Sequence, residues 1–435
     1  MASEKSAEAA LPWRKGLTFR PFSGLIDHLL KRQFHAGQLK LFIGERLHRI
    51  EGQAPGPQAE MHLHRPLSFA KRIAARGHLG LGEAYMAGDW DSPDLTSLIH
   101  LLAVNEQSLA SIEYGSWLGR LGALLHHRRH ANTRSGSRRN IAHHYDLGNA
   151  FYRLWLDPSM TYSAGLFGEQ VDGEIDGHVD QRVEEHNDAS AETTNIGLEQ
   201  AQRQKYQSLL EMLDAEPGAH LLEIGCGWGG FAREAVAAGH RISGITLSSE
   251  QLAWARETLT APSATGQVDL HLRDYRDLDG QFDHIVSIEM FEAVGERYWP
   301  VYMDKLRQLL RPGGRAALQV ITMDERIFDG YRSSPDFIQK YIFPGGMLPT
   351  PERFDAAATQ AGFTIGARRW FGQDYARTLA IWHQRFMEQL DQVRALGYDD
   401  TFIRMWRYYL SYCEAGFRDG RIDVMQVVLE SPSAS

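Results

Sequence analysis

Cysteine is nearly absent from this chain. Its two copies, Cys226 and Cys413, exclude a disulfide framework and any cysteine-built zinc site, and they fit a reducing compartment. Long apolar runs are missing too: none approaches the ~20 residues that a membrane-spanning helix needs. Residues 1–6 contain no apolar leader, so the expectation is a cytoplasmic protein. No internal repeat is visible. A surplus of positive charge is absent overall, with a net charge of −9, but the balance is uneven. Residues 1–140 carry 19 Lys/Arg against 12 Asp/Glu, whereas the rest is strongly acidic. A basic part on an acidic protein points to an anionic surface as partner, or equally to an ordinary solvated basic face.

What is present bounds the architecture. A length of 435 residues suits two or three domains, and 43% hydrophobic content is enough to bury real cores. Residues 13–30 repeat apolar side chains at helical spacing, with basic residues between them. This pattern suits a membrane-surface helix or one packed on its own domain. Segments 37–42 and 60–67 alternate like strands and are split by a turn-rich 52–57; helical patterns follow near 68–76, 80–87 and 94–110. Residues 1–125 therefore read as a small α+β domain that associates with lipid or membrane. A polar basic linker follows at 126–140. It has no interleaved aromatics to stack on bases, which disfavours nucleic acid. An acidic, apolar-poor stretch at 168–200 reads as a surface loop.

From Ala201 onward strands alternate with helices: strands at 221–224, 242–247, 268–272, 282–288 and 316–321, helices at 201–213, 249–259 and 298–310. This spacing means an α/β fold with a parallel, doubly wound sheet. Residues 323–352 read as irregular, a candidate lid. Helices return at 375–390 and 401–418, with a final strand at 421–429.

The chain is organised around Leu221-Leu-Glu-Ile-Gly-Cys-Gly-Trp-Gly-Gly230. An apolar strand breaks into glycines and then a helix, the opening of a nucleotide-binding unit. For NAD an acid should close the second strand, yet that strand ends Ile245-Thr-Leu-Ser248. Glu223 instead closes the first. A carboxylate there sits poorly against a pyrophosphate but suits an ammonium or sulfonium, which favours S-adenosylmethionine. Asp274 and Tyr275, after the third strand, are placed to meet its adenine.

Further motifs carry a resemblance. They are His144-Tyr-Asp-Leu-Gly-Asn149, Leu156-Asp-Pro-Ser-Met-Thr-Tyr-Ser163, Glu223-Ile-Gly-Cys-Gly-Trp-Gly-Gly230, Gly244-Ile-Thr-Leu-Ser-Ser-Glu-Gln251, Asp274-Tyr-Arg276, Met290-Phe-Glu-Ala-Val-Gly295, Tyr341-Ile-Phe-Pro-Gly-Gly346 and Asp374-Tyr375. From about residue 140 onward the chain closely resembles the cyclopropane-fatty-acyl-phospholipid synthase family of class I methyltransferases. The N-terminal part resembles it more loosely. The resemblance implies a methyltransferase domain over 141–435 and methyl(ene) transfer from S-adenosylmethionine to the cis double bond of a phospholipid acyl chain. It assigns Tyr145, Tyr162, Ser163, Gly225, Gly227, Thr246, Leu247 and Gln251 to the cofactor, joined by Asp274 and Tyr275. It also implies a bicarbonate ion acting as base, held at Ala164, Glu292, Gln319 and Tyr375. The partner would be an unsaturated phospholipid in an anionic membrane, met at the inner face of the cytoplasmic membrane, and a homodimer stays open.

The residues support that placement. Methyl transfer to an alkene leaves a carbocation, which needs aromatic faces, each worth about 0.5–2 kcal/mol, and a base. Trp155, Tyr341, Phe343 and Tyr375 are candidates for the faces. Two positions depart from the family: Ala164 replaces its usual Cys and Gln319 its usual His. Gln can donate to an anion but cannot titrate. A changed base site leaves the product open between a ring and a methyl- or methylene-branched chain. The competing reading is a non-catalytic homologue that binds lipid and S-adenosylmethionine.

Overall fold

The computed structural model describes residues 34–109, 136, 147–168 and 196–432. The helical pattern at 13–30, the basic linker, most of the acidic stretch and Tyr145 lie outside the described residues.

The expected α/β architecture is observed. A seven-stranded sheet has the order β10-β11-β9-β8-β5-β6-β7. Its strands are β5 (His220–Ile224), β6 (Arg241–Thr246), β7 (Val268–Leu272), β8 (Phe282–Ile288), β9 (Leu310–Met323), β10 (Thr364–Trp370) and β11 (Ile422–Glu430). From β9 through β7 neighbouring strands run parallel, while β11 is antiparallel to both β9 and β10. The short apolar runs are explained by two-sided burial, since alternate side chains point to opposite faces. Leu221, Val286 and Ala317 enter one core with Leu209 and Phe231. Their neighbours Leu222, Ile285 and Leu318 enter the other, with Met303, Leu306 and Phe354.

A second sheet, β2-β1-β3-β4, is built from β1 (Ala36–Ile43), β2 (Arg46–Glu51), β3 (Ala54–Leu63) and β4 (Trp90–Asp91). The stretch 52–57, read as a turn, already contributes the start of β3. A register shift after Ala36 lets Ala54 pair with Ala36 while its prolines bulge past the ladder. Helix α1 (Pro66–Met86) breaks at Gly77, whose φ is 52°, which matches the two shorter helical patterns. Helix α2 (Leu95–Val104) follows.

This smaller unit shares one continuous core with C-terminal helices. Leu39, Tyr85 and Leu101 pack in the same cluster as Trp382, Trp406 and Tyr408. Arg404 joins the two parts with polar bonds as well, donating to Asp91 Oδ2 at 2.8 Å and to the Trp90 carbonyl at 2.7 Å.

Two sequence expectations change. Residues 323–352 are not irregular throughout: helices form at Glu325–Ser333 and Phe337–Tyr341. Asp324 caps the first, and a capping box between Asp336 and Gln339 holds the second, so short polar signals overrode the Gly/Pro composition. Strand β10 was not expected at all. It is an edge strand with consecutive arginines, Arg368 and Arg369, and pairs only with β11. No helix among the described residues is long and apolar enough to cross a membrane.

Candidate active site

β5, β6, β8 and β9 run parallel, so their carboxyl ends share one side of the sheet, the side on which such folds bind ligands in a crevice. The glycine turn leaves β5 with φ of 90° at Gly225 and 49° at Gly227. Both Gly225 and Cys226 donate backbone N–H groups to the Ile245 carbonyl at 2.9 Å, which fixes the turn against β6. A Cβ on Gly227 would meet nothing within 4 Å, so this position faces open space and needs glycine for its backbone conformation. Helix α4 (Gly230–Ala237) starts immediately after.

Glu223 is 3% exposed, and its Oε2 has no hydrogen-bond partner. Burial pushes its carboxyl up to about 8, while nearby Lys205 pulls it back. An unpartnered buried carboxylate is costly unless a cation completes it. On β6, Thr246 Oγ1 donates to Gln251 Oε1 at 2.9 Å and accepts from Ser248 N at 3.1 Å. Leu247 is half-buried in the turn between them. Asp274 caps the turn after β7 and is bound by the Arg276 guanidinium at 2.6 and 2.8 Å. The Tyr275 ring lies 5.1 Å from that of Tyr302.

Residues 160–168 bond to Gln202 and Lys205 on one side and to Asp374 and Thr378 on the other. Ser163 Oγ accepts from the buried Lys205 Nζ at 2.6 Å, and the Tyr162 and Tyr409 hydroxyls share a 2.6 Å hydrogen bond. Asp374, on helix α8 (Gly372–Glu388), accepts from Phe167 N at 2.7 Å and Gly168 N at 3.3 Å. Thr378, one turn later, accepts from Gly165 N at 3.0 Å. The segment is thus held by backbone bonds rather than by regular structure.

Ala164, Gln319 and Tyr375 come together, but they converge on Glu289 rather than on Glu292. Glu289 Oε1 accepts from Ala164 N at 2.8 Å and Gln319 Nε2 at 2.7 Å, and Oε2 accepts from the Tyr375 hydroxyl at 2.7 Å. Sheet register explains the meeting. Ile288 pairs with Gln319 across β8 and β9, and Gln319 pairs with Gln426 across β9 and β11. Gln426 Nε2 donates to Gln319 Oε1 at 3.1 Å, which turns the Gln319 amide nitrogen towards Glu289. Burial raises the Glu289 carboxyl above its usual range, opposed by these donors and by Lys205. Glu292, in the neighbouring 3-10 turn Phe291–Ala293, shares none of these hydrogen bonds. Its Oε1 accepts from Ile321 N at 2.5 Å and its Oε2 has no partner. Burial, and then the charge of Glu289, push its carboxyl up to about 8.

Aromatic rings pack beside Tyr375, one of the donors to Glu289. Tyr162 lies 5.3 Å from both Trp155 and Trp382, and Trp382 lies 6.1 Å from Tyr375. Phe343 is 6.4 Å from Tyr162. Tyr341 does not join them; its hydroxyl donates to Glu83 of α1 at 2.8 Å. Among the described residues, no group of three or more His, Cys, Asp or Glu side chains is arranged to hold a metal.

The mycolic acid cyclopropane synthetase family model matches residues 132–427. The chain belongs to this family. It is accordingly a class I S-adenosylmethionine-dependent methyltransferase. A tuberculostearic acid methyltransferase of Mycobacterium tuberculosis is 40% identical over 389 residues, 88% of this chain and 87% of that protein. The cyclopropane-fatty-acyl-phospholipid synthase of Escherichia coli is 34% identical over 384 residues, covering 87% of this chain and 89% of its own. A solved mycolic acid cyclopropane synthase complexed with SAH and CTAB aligns with a TM-score of 0.59 and 29% identity, over 68% of this chain and 98% of that one.

For this family the cofactor fits what the crevice offers: the open cradle at Gly227 and the unpartnered Glu223 carboxylate. A bicarbonate ion does not fit in the same way. Of the residues expected to hold it, Ala164 N–H, Gln319 Nε2 and the Tyr375 hydroxyl already donate to Glu289. Sequence reasoning missed Glu289, Lys205 and Gln426. A signal did exist for the first, an acid at the carboxyl end of the fourth strand, where α/β sheets bind ligands.

Proposed function

We propose that this chain methylates the cis double bond of an unsaturated phospholipid acyl chain. The observation that carries the reading is a buried carboxylate set inside an aromatic wall, beside the glycine turn. Trp155, Tyr162, Tyr375 and Trp382 form that wall, and the Nε1 atoms of both tryptophans lack partners. Such a space suits a hydrocarbon and not a polar acceptor.

When bound, S-adenosylmethionine supplies an electrophilic methyl group. The glycine turn and Glu223 would hold the donor, with the Glu223 carboxylate opposing its positive charge. Residues 160–168, tied to α8 by Asp374 and Thr378, keep water from the crevice. The aromatic faces stabilise the cation left on the acyl chain, by about 0.5–2 kcal/mol per face. That cation must then lose a proton from the new methyl group, either directly, closing a cyclopropane ring, or after a 1,2-hydride shift, leaving a methylene branch. The Escherichia coli relative's name supports the ring. The departures at Ala164 and Gln319, both bonded to Glu289, together with the Mycobacterium tuberculosis relative's name, support the branch.

The basic surplus of residues 1–140 supports docking on an anionic lipid surface at the cytoplasmic face. Flotation with anionic vesicles tests the reading. Vesicles with cis-unsaturated chains should bind the protein and gain one CH2 of mass per modified chain, while saturated vesicles bind without gaining mass. Equal mass gain on saturated vesicles, or none on either, would contradict it.

A further inference from the structure

We infer that Glu289 is the base of this reaction, a side-chain carboxylate seated where a free carbonate-type anion would otherwise be needed. The inference rests on the acyl-chain reading and deepens it.

Three independent features converge on this residue. Its two oxygens collect a backbone N–H, an amide and a phenol, a planar acceptor held by donors from three separate parts of the chain. The donors are themselves fixed: Ser208 Oγ donates to Gln426 Oε1 at 2.7 Å, Arg369 donates to Ser208 at 3.0 Å, and Gln426 orients Gln319. A chain of oriented amides extending through the core serves to aim one donor at one carboxylate.

The backbone gives the second feature. Glu289 has φ of 49°, a left-handed conformation that non-glycine residues rarely adopt and that costs on the order of 1–3 kcal/mol. Glycine would relieve the strain, so the carboxylate is kept there against the preference of its own backbone. Location is the third. Met290, the next residue, lies against the glycine turn, since a Cβ on Gly225 would come within 3.1 Å of Met290 Cγ. Tyr375, which donates to Glu289, is also part of the aromatic wall.

The step balances without a further reactant. The sulfur–methyl bond breaks as the alkene π pair forms the new carbon–carbon bond, leaving a cation on the adjacent carbon. Glu289 takes a proton from the cationic chain. The released C–H pair becomes the third ring bond or, after a 1,2-hydride shift onto the cationic carbon, the carbon–carbon double bond of a methylene branch, and the proton later passes to solvent.

The test compares wild type, Glu289→Gln and Glu289→Gly in carbonate-free buffer and with added bicarbonate or formate. The substrate is cis-unsaturated phospholipid vesicles with methyl-labelled S-adenosylmethionine. Calorimetry with S-adenosylhomocysteine checks that each variant folds and binds cofactor. Wild-type turnover should be the same with and without bicarbonate. Both variants should lose at least ~100-fold, and Glu289→Gly should regain part of that loss when an anion is added. Independently of turnover, labelled bicarbonate observed by carbon NMR should broaden with Glu289→Gly and not with wild type. Wild-type turnover that falls without bicarbonate, or full turnover by Glu289→Gly in carbonate-free buffer, overturns the inference. Broadening with wild type overturns it as well. A wild type that methylates no acyl chain in either buffer removes the acyl-chain reading itself.

Discussion

Replacing Glu223 by Gln should separate the electrostatic part of cofactor binding from the rest of the site. The carboxyl is buried, its Oε2 lacks a partner, and burial pushes it up to about 8. At pH 7 it is therefore mostly protonated when the crevice is empty. An arriving ammonium requires the ionised form, and each pKa unit costs about 1.4 kcal/mol. A hydrogen bond to a charged group returns about 1.5–3 kcal/mol. The sign follows directly: the competent form grows as pH rises through about 8. Apparent affinity should increase roughly fivefold between pH 7 and 8, and binding at pH 7 should expel a proton from Glu223. Gln keeps the shape but removes the charge, so affinity should fall by about 10–100-fold above pH 8, within the range for one charged bond, and by at most about 15-fold at pH 7, where ionising Glu223 offsets about 1.4 kcal/mol of it. Calorimetry in two buffers of different ionisation enthalpy counts the protons, and the difference between wild type and variant cancels the titration of the ligand's own amine. Equal proton release by both proteins, or unchanged affinity in the variant above pH 8, would refute the role of Glu223.

Other outcomes follow from the same geometry. Gln426→Leu strands Gln319 Oε1 and Ser208, at about 1–3 kcal/mol for each buried polar atom left without a partner; urea unfolding should show the loss, and turnover should fall while cofactor affinity holds. Tyr375→Phe removes a donor that favours the charged form of Glu289. The carboxyl should rise further, moving the acid limb of the turnover–pH profile to higher pH. Asp374→Ala frees the Phe167 and Gly168 amides; limited proteolysis should then cut near 160–168, and the vesicle concentration needed for half-maximal turnover should rise.

Much of this organisation was visible in the residues themselves. The glycine turn, Glu223 and the strand–helix alternation are local patterns, and each formed where the sequence placed it. Gln319 and Tyr375 were named through the resemblance, Tyr375 within a motif, and both bond to Glu289. Glu289 was legible only in part: its place at the end of the fourth strand marks the ligand side, but nothing local distinguishes a carboxylate turned inward from one ending a strand in solvent. Only the pairing of Ile288 with Gln319, and of Gln319 with Gln426, puts those side chains at one level. Lys205 was hidden for a similar reason. A lysine on a helix normally reads as surface, and here its amine is buried by Ser163 and Gln202, from before and within that helix. Strand β10 escaped because an edge position tolerates charge, which removes the alternation that marks a strand.

The central claim is transfer of a methyl group from S-adenosylmethionine to an acyl-chain carbon, and the most direct measurement is where a labelled methyl ends up. Purified protein is incubated with trideuteromethyl-labelled cofactor and vesicles of cis-unsaturated phospholipid, and the intact lipid is fragmented by mass spectrometry. The account predicts label in the acyl chain at the former double bond, with one deuterium lost to the base. Label on the headgroup nitrogen, or on saturated and unsaturated lipid alike, would contradict it.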